Sequence, residues 1–162
     1  DAYARYTEEG GPYVENMIRL LRKFETAKSY VPAPIVDRTE GGARFGVLHY
    51  GSTAAPMEEA VDMLRKQGIA LDVMRLRAFP FSQDVDRFLA EHERVFVVEQ
   101  NRDAQLRTLL MVENGASADK LVSVLHYDGS PVTARFIARA IAEQVARATP
   151  PAKEAAKEGA AS

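Results

Sequence analysis

Short apolar segments alternate with amphipathic segments along most of this chain, and that alternation constrains its fold more than any other feature. Strands are predicted at 44–50, 69–76, 94–98 and 121–127. Helical patterns follow them between Thr53 and Gly68 and at 83–92, 103–113 and 131–147. Such alternation implies parallel strands joined by right-handed crossovers, with helices on both faces of one sheet.

Single residues refine this prediction. The segment 95–98 is continuously apolar, as a central parallel strand should be. Asp72, in the middle of its strand, suggests that this strand is not buried on both faces, and His92 is predicted on the surface. Hydroxyl residues before the helical patterns predict N-caps. These are Ser52 or Thr53, Ser82 and Ser130.

An arm precedes the alternating units. Apolar residues at helical spacing predict an amphipathic helix over 13–28. They are Val14, Met17, Ile18, Leu21 and Phe24. A proline-interrupted stretch follows and supplies a short edge strand at 34–37. We therefore predict a linker arm at 1–42, a domain at 43–148 and a flexible tail at 149–162. The chain does not begin with Met, and we expect it to be a piece of a longer polypeptide.

Composition excludes several classes of function. The formal net charge of −2 gives no electrostatic basis for binding nucleic acid or an anionic membrane surface. The chain contains no cysteine, which excludes disulfides, a thiolate nucleophile and a cysteine-ligated cluster within it. No apolar run approaches the roughly 18 residues of a membrane helix. We expect a cytoplasmic protein that binds neither nucleic acid nor a membrane.

Functional residues of an open α/β sheet lie beyond the carboxyl ends of its strands. Loop 50–54 contains Gly51, Ser52 and Thr53 at a helix start, where backbone N–H groups bind an anion or simply cap the helix. The glycine-rich dinucleotide and P-loop fingerprints are both absent. The loops at 77–82 and 127–131 share the same edge of the sheet.

The loop at 99–103 is the most polar of these connections and follows the most apolar strand. Its sequence is Glu99-Gln100-Asn101-Arg102-Asp103. Two interpretations stay open, namely an interface or substrate entrance and a solvated turn with Asp103 as N-cap.

Two histidines, His49 and His126, lie near strand ends, and a tyrosine follows each of them. A histidine pair is compatible with a base or a metal site, but also with packed, hydrogen-bonded core residues. There is no metal-binding H-x-x-x-H spacing and no G-x-S-x-G nucleophile elbow. The sequence therefore shows no self-sufficient active site.

Several short motifs, in order, resemble the alpha subunits of 2-oxoacid:ferredoxin oxidoreductases. The run Gly46–Thr53 is similar to their G-x-x-x-x-G-S-T/S segment, and Leu76–Phe81 is similar to their L-R-x-x-P-F. Val97–Asn101 with Gln105-Leu106 is similar to their V-x-E-x-N-x-x-x-Q-L signature. The resemblance covers roughly residues 12–147 and is closest to the 2-oxoglutarate type.

This resemblance implies a fold like the transketolase C-terminal domain. That fold is a three-layer α/β/α sandwich whose mostly parallel five-stranded sheet has the order 1-3-2-4-5, with an antiparallel edge strand. The order makes strands 44–50 and 94–98 neighbours, so loops 51–53 and 99–103 flank one crevice.

The resemblance also implies a reaction of the TCA-cycle type. A 2-oxoacid, coenzyme A and oxidised ferredoxin give acyl-CoA, carbon dioxide and reduced ferredoxin. Thiamine diphosphate with Mg²⁺ and a 4Fe-4S cluster are expected through other domains and the beta subunit. The thiamine motif G-D-G…N is missing from this chain, which we expect to be inactive alone.

Its implied partners are the beta subunit, the preceding pyrimidine-binding domain and, through the complex, ferredoxin and coenzyme A. Gln105 joins the polar loop as a residue that shapes the coenzyme A entrance. The alternative is a non-catalytic α/β binding or receiver-like module. A receiver needs an acidic cluster after its first strand, where this chain has His49-Tyr50.

Overall fold

The structure is a computed structural model that describes residues 1–148. Five strands and five helices occur in these residues. The strands are β1 (Ile35–Asp37), β2 (Phe45–Tyr50), β3 (Leu71–Leu76), β4 (Arg94–Glu99) and β5 (Leu121–Leu125). The helices are α1 (Gly10–Ala27), α2 (Ala54–Arg65), α3 (Gln83–Glu91), α4 (Gln105–Asn114) and α5 (Ala134–Ala148). The predicted tail at 149–162 lies outside the described residues.

The strands form one sheet in the order β1-β3-β2-β4-β5. Strand β1 pairs with β3 in the antiparallel sense, and the other neighbours are parallel. This confirms the predicted topology, including the antiparallel edge strand.

Two apolar layers enclose the sheet, because alternate residues of each strand point to opposite faces. Phe96 and Val98 of β4 belong to the cluster that includes the buried side chains of α2 and α5. Val95 and Val97 belong to the cluster under α3 and α4. All four side chains are almost fully buried, as the continuous apolar run predicted.

The strand and helix positions agree with the sequence, and Thr53 and Ser82 hold the predicted N-cap positions of α2 and α3, but their hydroxyls make no capping hydrogen bond. A single 3₁₀ turn, Gly51–Thr53, precedes α2, and neither hydroxyl caps that helix. Ser82 directly precedes α3, yet its hydroxyl donates to Asp84 Oδ2 (3.0 Å) instead of accepting a backbone N–H. Helix α5 begins three residues later than predicted, and Thr133 Oγ1 accepts the Phe136 N–H (3.2 Å) in place of Ser130.

Asp72 and His92 form a buried polar pair, so the prediction of a surface His92 is wrong. Strand β3 is not buried on both faces, as predicted, since Val73 is half-buried and Arg75 is exposed, but Asp72 lies on its buried face. Asp72 is 1% exposed and His92 is 2% exposed. The Asp72 carboxylate accepts the Thr39 N–H (2.9 Å) and pairs with Arg38 (3.1 Å) and with Nε2 of His92 (3.2 Å). Nδ1 of His92 contacts the Phe88 carbonyl oxygen at 2.7 Å. The pair joins β3, α3 and the segment after β1 beneath the surface.

Gly46 in β2 allows α3 to pack closely on the sheet. A Cβ atom on Gly46 would lie 2.7 Å from Phe88 Cε1 and 3.1 Å from His92 Cγ. Overpacking of this kind costs about 2 kcal/mol. We therefore expect Gly46→Ala to lower the free energy of unfolding by that amount in urea denaturation.

Gly11 in α1 provides the matched control, because a Cβ there would meet nothing within 4 Å. Gly11→Ala should leave stability unchanged or slightly raised, since alanine is the better helix former. Equal effects of the two substitutions would show that close packing is not why residue 46 is glycine.

Helix α1 carries the predicted apolar stripe but buries none of it in residues 1–148. Its large apolar side chains are between 37% and 68% exposed. These are Tyr13, Val14, Met17, Ile18, Leu20, Leu21 and Phe24. Phe24 makes an edge-to-face contact with Phe79, with ring centroids 5.3 Å apart. An apolar patch of this size is typical of a surface that another protein segment covers.

Candidate functional site at the carboxyl edge of the sheet

The loops after β2 and β4 lie side by side, because those two strands are neighbours. Gln100 Nε2 donates to Ser52 Oγ (2.8 Å) and lies 3.4 Å from Thr53 Oγ1. Gln100 Oε1 accepts the Val132 N–H at 3.2 Å. One side chain therefore ties together three of the four loops at this edge. Strands 44–50 and 94–98 are neighbours as predicted, and the crevice between loops 51–53 and 99–103 stays a prediction.

Glu99 supplies the cap of α4 from the end of β4. Its side chain is fully buried. Its Oε2 accepts the Leu106 N–H (2.7 Å) and its Oε1 accepts the Arg107 N–H (3.1 Å). Asp103 is not the N-cap, since Ala104 holds that position with a left-handed backbone (φ 51°). A carboxylate at a helix N-terminus satisfies free N–H groups and interacts favourably with the helix dipole.

Asn101 supports this cap and holds the loop in shape. Its Nδ2 donates to Glu99 Oε2 (2.8 Å), and its Oδ1 accepts the N–H groups of Asp103 (3.1 Å) and Gln105 (3.3 Å). The Asp103 carboxylate pairs with Arg102 on the surface (2.8 Å). Glu99 and Asn101 are thus engaged in internal hydrogen bonds, which makes them structural residues of the loop.

A cavity of about 460 Å³ opens beside these loops, between the end of β3 and α4. Its walls are mostly apolar and include Leu76, Phe79, Phe81, Leu106 and Leu109. The polar groups on its lining come from Arg77, Gln105 and the Tyr50-Gly51 turn.

The structure brings Gly51 and Gln105 of the predicted site to this cavity and leaves Ser52, Thr53 and Glu99 off its lining. Sequence reasoning did not select Arg77 or the two phenylalanines as site residues, although they belong to the L-R-x-x-P-F motif. Several apolar walls with a few polar groups are the usual composition of a ligand site.

The histidines at the strand ends do not form a pair site. His126 is packed on Phe136 and lies 3.0 Å from the Ser130 carbonyl oxygen, as the structural interpretation predicted. His49 is also buried, but its Nδ1 has no hydrogen-bond partner, so the expectation of a hydrogen-bonded ring is wrong there.

Ser130, Asp128 and His126 lie close together without the geometry of a catalytic triad. The Ser130 hydroxyl donates to Asp128 Oδ1 (2.6 Å) and lies 3.4 Å from His126 Nε2. Asp128 Oδ1 is 3.1 Å from the same ring nitrogen. Hydrogen bonds from the Ser130 hydroxyl and amide hold the pKa of Asp128 below its usual range. In a catalytic triad the histidine contacts the serine through one ring nitrogen and the carboxylate through the other. Here Ser130 and Asp128 both approach Nε2 of His126, so this cluster is a turn and not a hydrolase site.

Two kinds of metal ligand matter in this chain, cysteine thiolates and clusters of His, Asp and Glu. An iron–sulfur cluster needs cysteine thiolates, and the sequence contains none. Among residues 1–148, no three His, Asp or Glu side chains come together as metal ligands would. The geometry at the carboxyl edge offers binding and packing surfaces.

The fold and this edge define the chain as an α/β/α domain of the transketolase C-terminal type. Residues 43–135 match the family described as pyruvate:ferredoxin oxidoreductase core domain II. The chain belongs to that family.

A curated relative is the alpha subunit of 2-oxoacid:ferredoxin oxidoreductase 2 from Aeropyrum pernix, 29% identical over 145 residues. The alignment covers 87% of this chain and 22% of the relative, so the chain spans about a fifth of that subunit. The resemblance to these alpha subunits is confirmed.

Solved structures support the fold. A 2-oxoglutarate:ferredoxin oxidoreductase from Magnetococcus marinus, with 2-oxoglutarate, coenzyme A and succinyl-CoA bound, superposes with a TM-score of 0.75 at 23% identity. The match covers 86% of this chain and 24% of that one. An inactive tetramer of a split-gene transketolase superposes with a TM-score of 0.55 at 20% identity, covering 68% of this chain and 40% of that one.

Within residues 1–148, no helix combines the length and the apolar character needed to cross a membrane.

Proposed function

We propose that this chain is the C-terminal-type domain of the alpha subunit of a thiamine diphosphate-dependent 2-oxoacid:ferredoxin oxidoreductase. The family match over residues 43–135 is the observation that carries the proposal. The relative from Aeropyrum pernix supports the 2-oxoacid class of substrate. The Magnetococcus marinus enzyme, whose structure contains 2-oxoglutarate and coenzyme A, supports 2-oxoglutarate as the substrate.

This domain helps the enzyme complex to assemble, and catalysis takes place on other parts of the complex. Thiamine diphosphate supplies the covalent chemistry there, and the iron–sulfur cluster of the beta subunit receives the electrons. This chain contains no cysteine that could hold a cluster, and no group of three potential metal-ligand side chains occurs within residues 1–148. Its own surfaces instead offer an exposed apolar helix and a rigid, cross-linked loop edge.

The exposed face of α1 packs on the preceding pyrimidine-binding domain. None of its residues is buried within residues 1–148, and Phe24 packs edge-to-face on Phe79, which is itself 40% exposed. The matched relative is more than four times longer than the aligned segment, so most of the polypeptide is available to cover this face.

The cavity at the carboxyl edge lies at the entrance that coenzyme A uses. Arg77 suits its phosphates, and the phenylalanine-lined wall suits its apolar parts. Glu99 and Asn101 no longer suit this role because their side chains are engaged internally.

We expect Gln105→Ala in the whole enzyme to raise KM for coenzyme A by about fivefold with kcat unchanged, as loss of a binding contact does. Gln67→Ala, an exposed glutamine after α2 that is not on the lining of this cavity, should change neither constant. Steady-state assays with varied coenzyme A measure the effect. An unchanged KM in the Gln105→Ala enzyme argues against the entrance role and leaves the family assignment intact.

The proposed reaction is tested on the enzyme isolated through an affinity tag on this chain from its native cells. The purified complex should reduce ferredoxin only when both a 2-oxoacid and coenzyme A are present. 2-Oxoglutarate should give a higher kcat/KM than pyruvate or 2-oxoisovalerate. A complex that contains no thiamine-binding subunit and reduces no ferredoxin would overturn the proposal.

A further inference from the structure

A phenylalanine of α1 contacts the wall of the cavity at the carboxyl edge. The ring of Phe24 packs edge-to-face on Phe79, with centroids 5.3 Å apart and ring planes at 61°. Phe79 lies on the lining of that cavity, whereas Phe24 does not. Phe24 is therefore one side chain removed from the space that a ligand occupies.

Phe79 in turn packs on Phe81. Their rings are edge-to-face, with centroids 5.1 Å apart and ring planes at 81°. Phe81 also lines the cavity, and it is 7% exposed within the apolar cluster under α3 and α4. Three phenylalanine rings therefore run in sequence from the arm, through the cavity wall, into the core.

Phe79 is the ring whose position depends on its neighbours. It belongs to the connection between β3 and α3 and is 40% exposed, so burial in the core does not fix it. Within residues 1–148, its aromatic contacts are those with Phe24 and Phe81. Exposed side chains change rotamer within nanoseconds unless contacts hold them, and edge-to-face pairs at these distances are favourable. Removal of the Phe24 ring leaves Phe79 with one of these two contacts.

A cavity wall that can move weakens ligand binding. A site that is already formed loses less conformational freedom when its ligand binds, so its affinity is higher. Loss of that advantage raises KM and leaves kcat unchanged, because it affects the bound substrate and the transition state equally. The contribution of Phe24 should therefore be measurable in binding and not in the chemical step.

We propose that Phe24 is a positioning residue, which fixes Phe79 and thereby the phenylalanine wall of the cavity. The identity of the ligand, coenzyme A, rests on the proposed function. Because α1 is also the helix that packs on the preceding domain, docking of that domain holds Phe24 in place and prepares the cavity for its ligand. Assembly and coenzyme A binding are thus coupled through a residue that does not line the cavity.

NMR relaxation of the 162-residue chain, labelled with ¹³C at the ζ position of phenylalanine, tests the contact itself. In Phe24→Ala, the order parameter of the Phe79 Cζ–Hζ bond should fall below about 0.6, the range of flexible groups. The Phe45–Phe96 pair in the opposite apolar layer is the internal reference, and its order parameters should not change. An unchanged order parameter for Phe79 would overturn the proposal, whatever reaction the enzyme catalyses.

Kinetics of the whole enzyme test the consequence for the ligand. Phe24→Ala should raise KM for coenzyme A by about fivefold with kcat unchanged. Phe24→Leu, which keeps a large apolar side chain, should stay within about twofold of the parent KM. Val14→Ala is the matched control, because it shortens an apolar side chain of the same helix roughly 15 Å along its axis, and it should leave KM unchanged.

The proposal is overturned if KM is unchanged in Phe24→Ala, or if Val14→Ala raises KM equally, since the effect would then come from assembly alone. An enzyme that does not use coenzyme A would overturn the proposed function instead. The order parameter of Phe79 would still decide whether Phe24 holds the cavity wall.

Discussion

Replacing Glu99 by Gln should lower the free energy of unfolding by about 3 kcal/mol, because hydrogen bonds to a charged acceptor are strong and a buried donor left unpaired costs more. The fully buried carboxylate accepts three N–H groups, those of Leu106, Arg107 and Asn101 Nδ2. An amide has only one acceptor oxygen, and its NH₂ group would face N–H donors. Urea denaturation followed by circular dichroism measures the loss.

Glu113 of α4 provides the matched control, since it is an exposed glutamate on the same helix. Glu113→Gln should change stability by less than about 0.5 kcal/mol, as surface substitutions usually do. If Glu99→Gln were as mild as this control, the carboxylate would not be the cap of α4. Glu99 would then be a candidate interface residue.

Asp72→Asn should be similarly damaging, with a loss of about 3 kcal/mol, because removal of one member of a buried ionic network leaves the others uncompensated. Arg38, Thr39 and His92 all contact this carboxylate. Asp119→Asn, an exposed aspartate, is the control and should be neutral.

The pH dependence of the free energy of unfolding is a second test of the same network of charges around Asp72. Burial opposes the charged form of Asp72, but the Thr39 amide, Arg38 and His92 outweigh it, so its pKa lies below the usual range. A lowered folded-state pKa stabilises the protein above the ordinary aspartate pKa and loses this contribution as pH falls through the folded value. The parent chain should therefore lose stability below about pH 4, and Asp72→Asn should lose less over that range. Parallel curves would show that the pKa of Asp72 is the same in the folded and the unfolded chain.

The sequence predicted the sheet well because strand formation here follows local patterns. The apolar run at 95–98 predicts a buried strand from the sequence alone. Gly68 and Gly115, which both have positive φ, predict turns in the same way. The strand order came from the family resemblance, and it correctly placed Ser52 beside Gln100, 48 positions away.

Sequence patterns did not predict the contacts between side chains that lie far apart along the chain. The partners of Asp72 lie 20, 33 and 34 positions away, so an aspartate in a strand looked like a sign of exposure. Asp72 lies two residues before the buried Met74 and therefore on the same, inward face of the strand. That spacing was the one indication in the sequence that Asp72 is buried. Glu99 caps α4 from seven positions upstream, beyond the range of local capping patterns. The apolar wall of the carboxyl-edge cavity depends on the packing of α4 against the loop after β3.

We propose that assembly of this chain with the remainder of a 2-oxoacid:ferredoxin oxidoreductase takes place through α1. Hydrogen–deuterium exchange of the α1 amides, measured in the isolated chain and in the purified native enzyme, tests it directly. Because α1 buries no side chain within residues 1–148, its amides should exchange rapidly in the isolated chain. In the enzyme, burial of Ile18 and Leu21 should slow them by about a hundredfold or more. Equally rapid exchange of α1 in both samples would contradict burial of α1 in the enzyme.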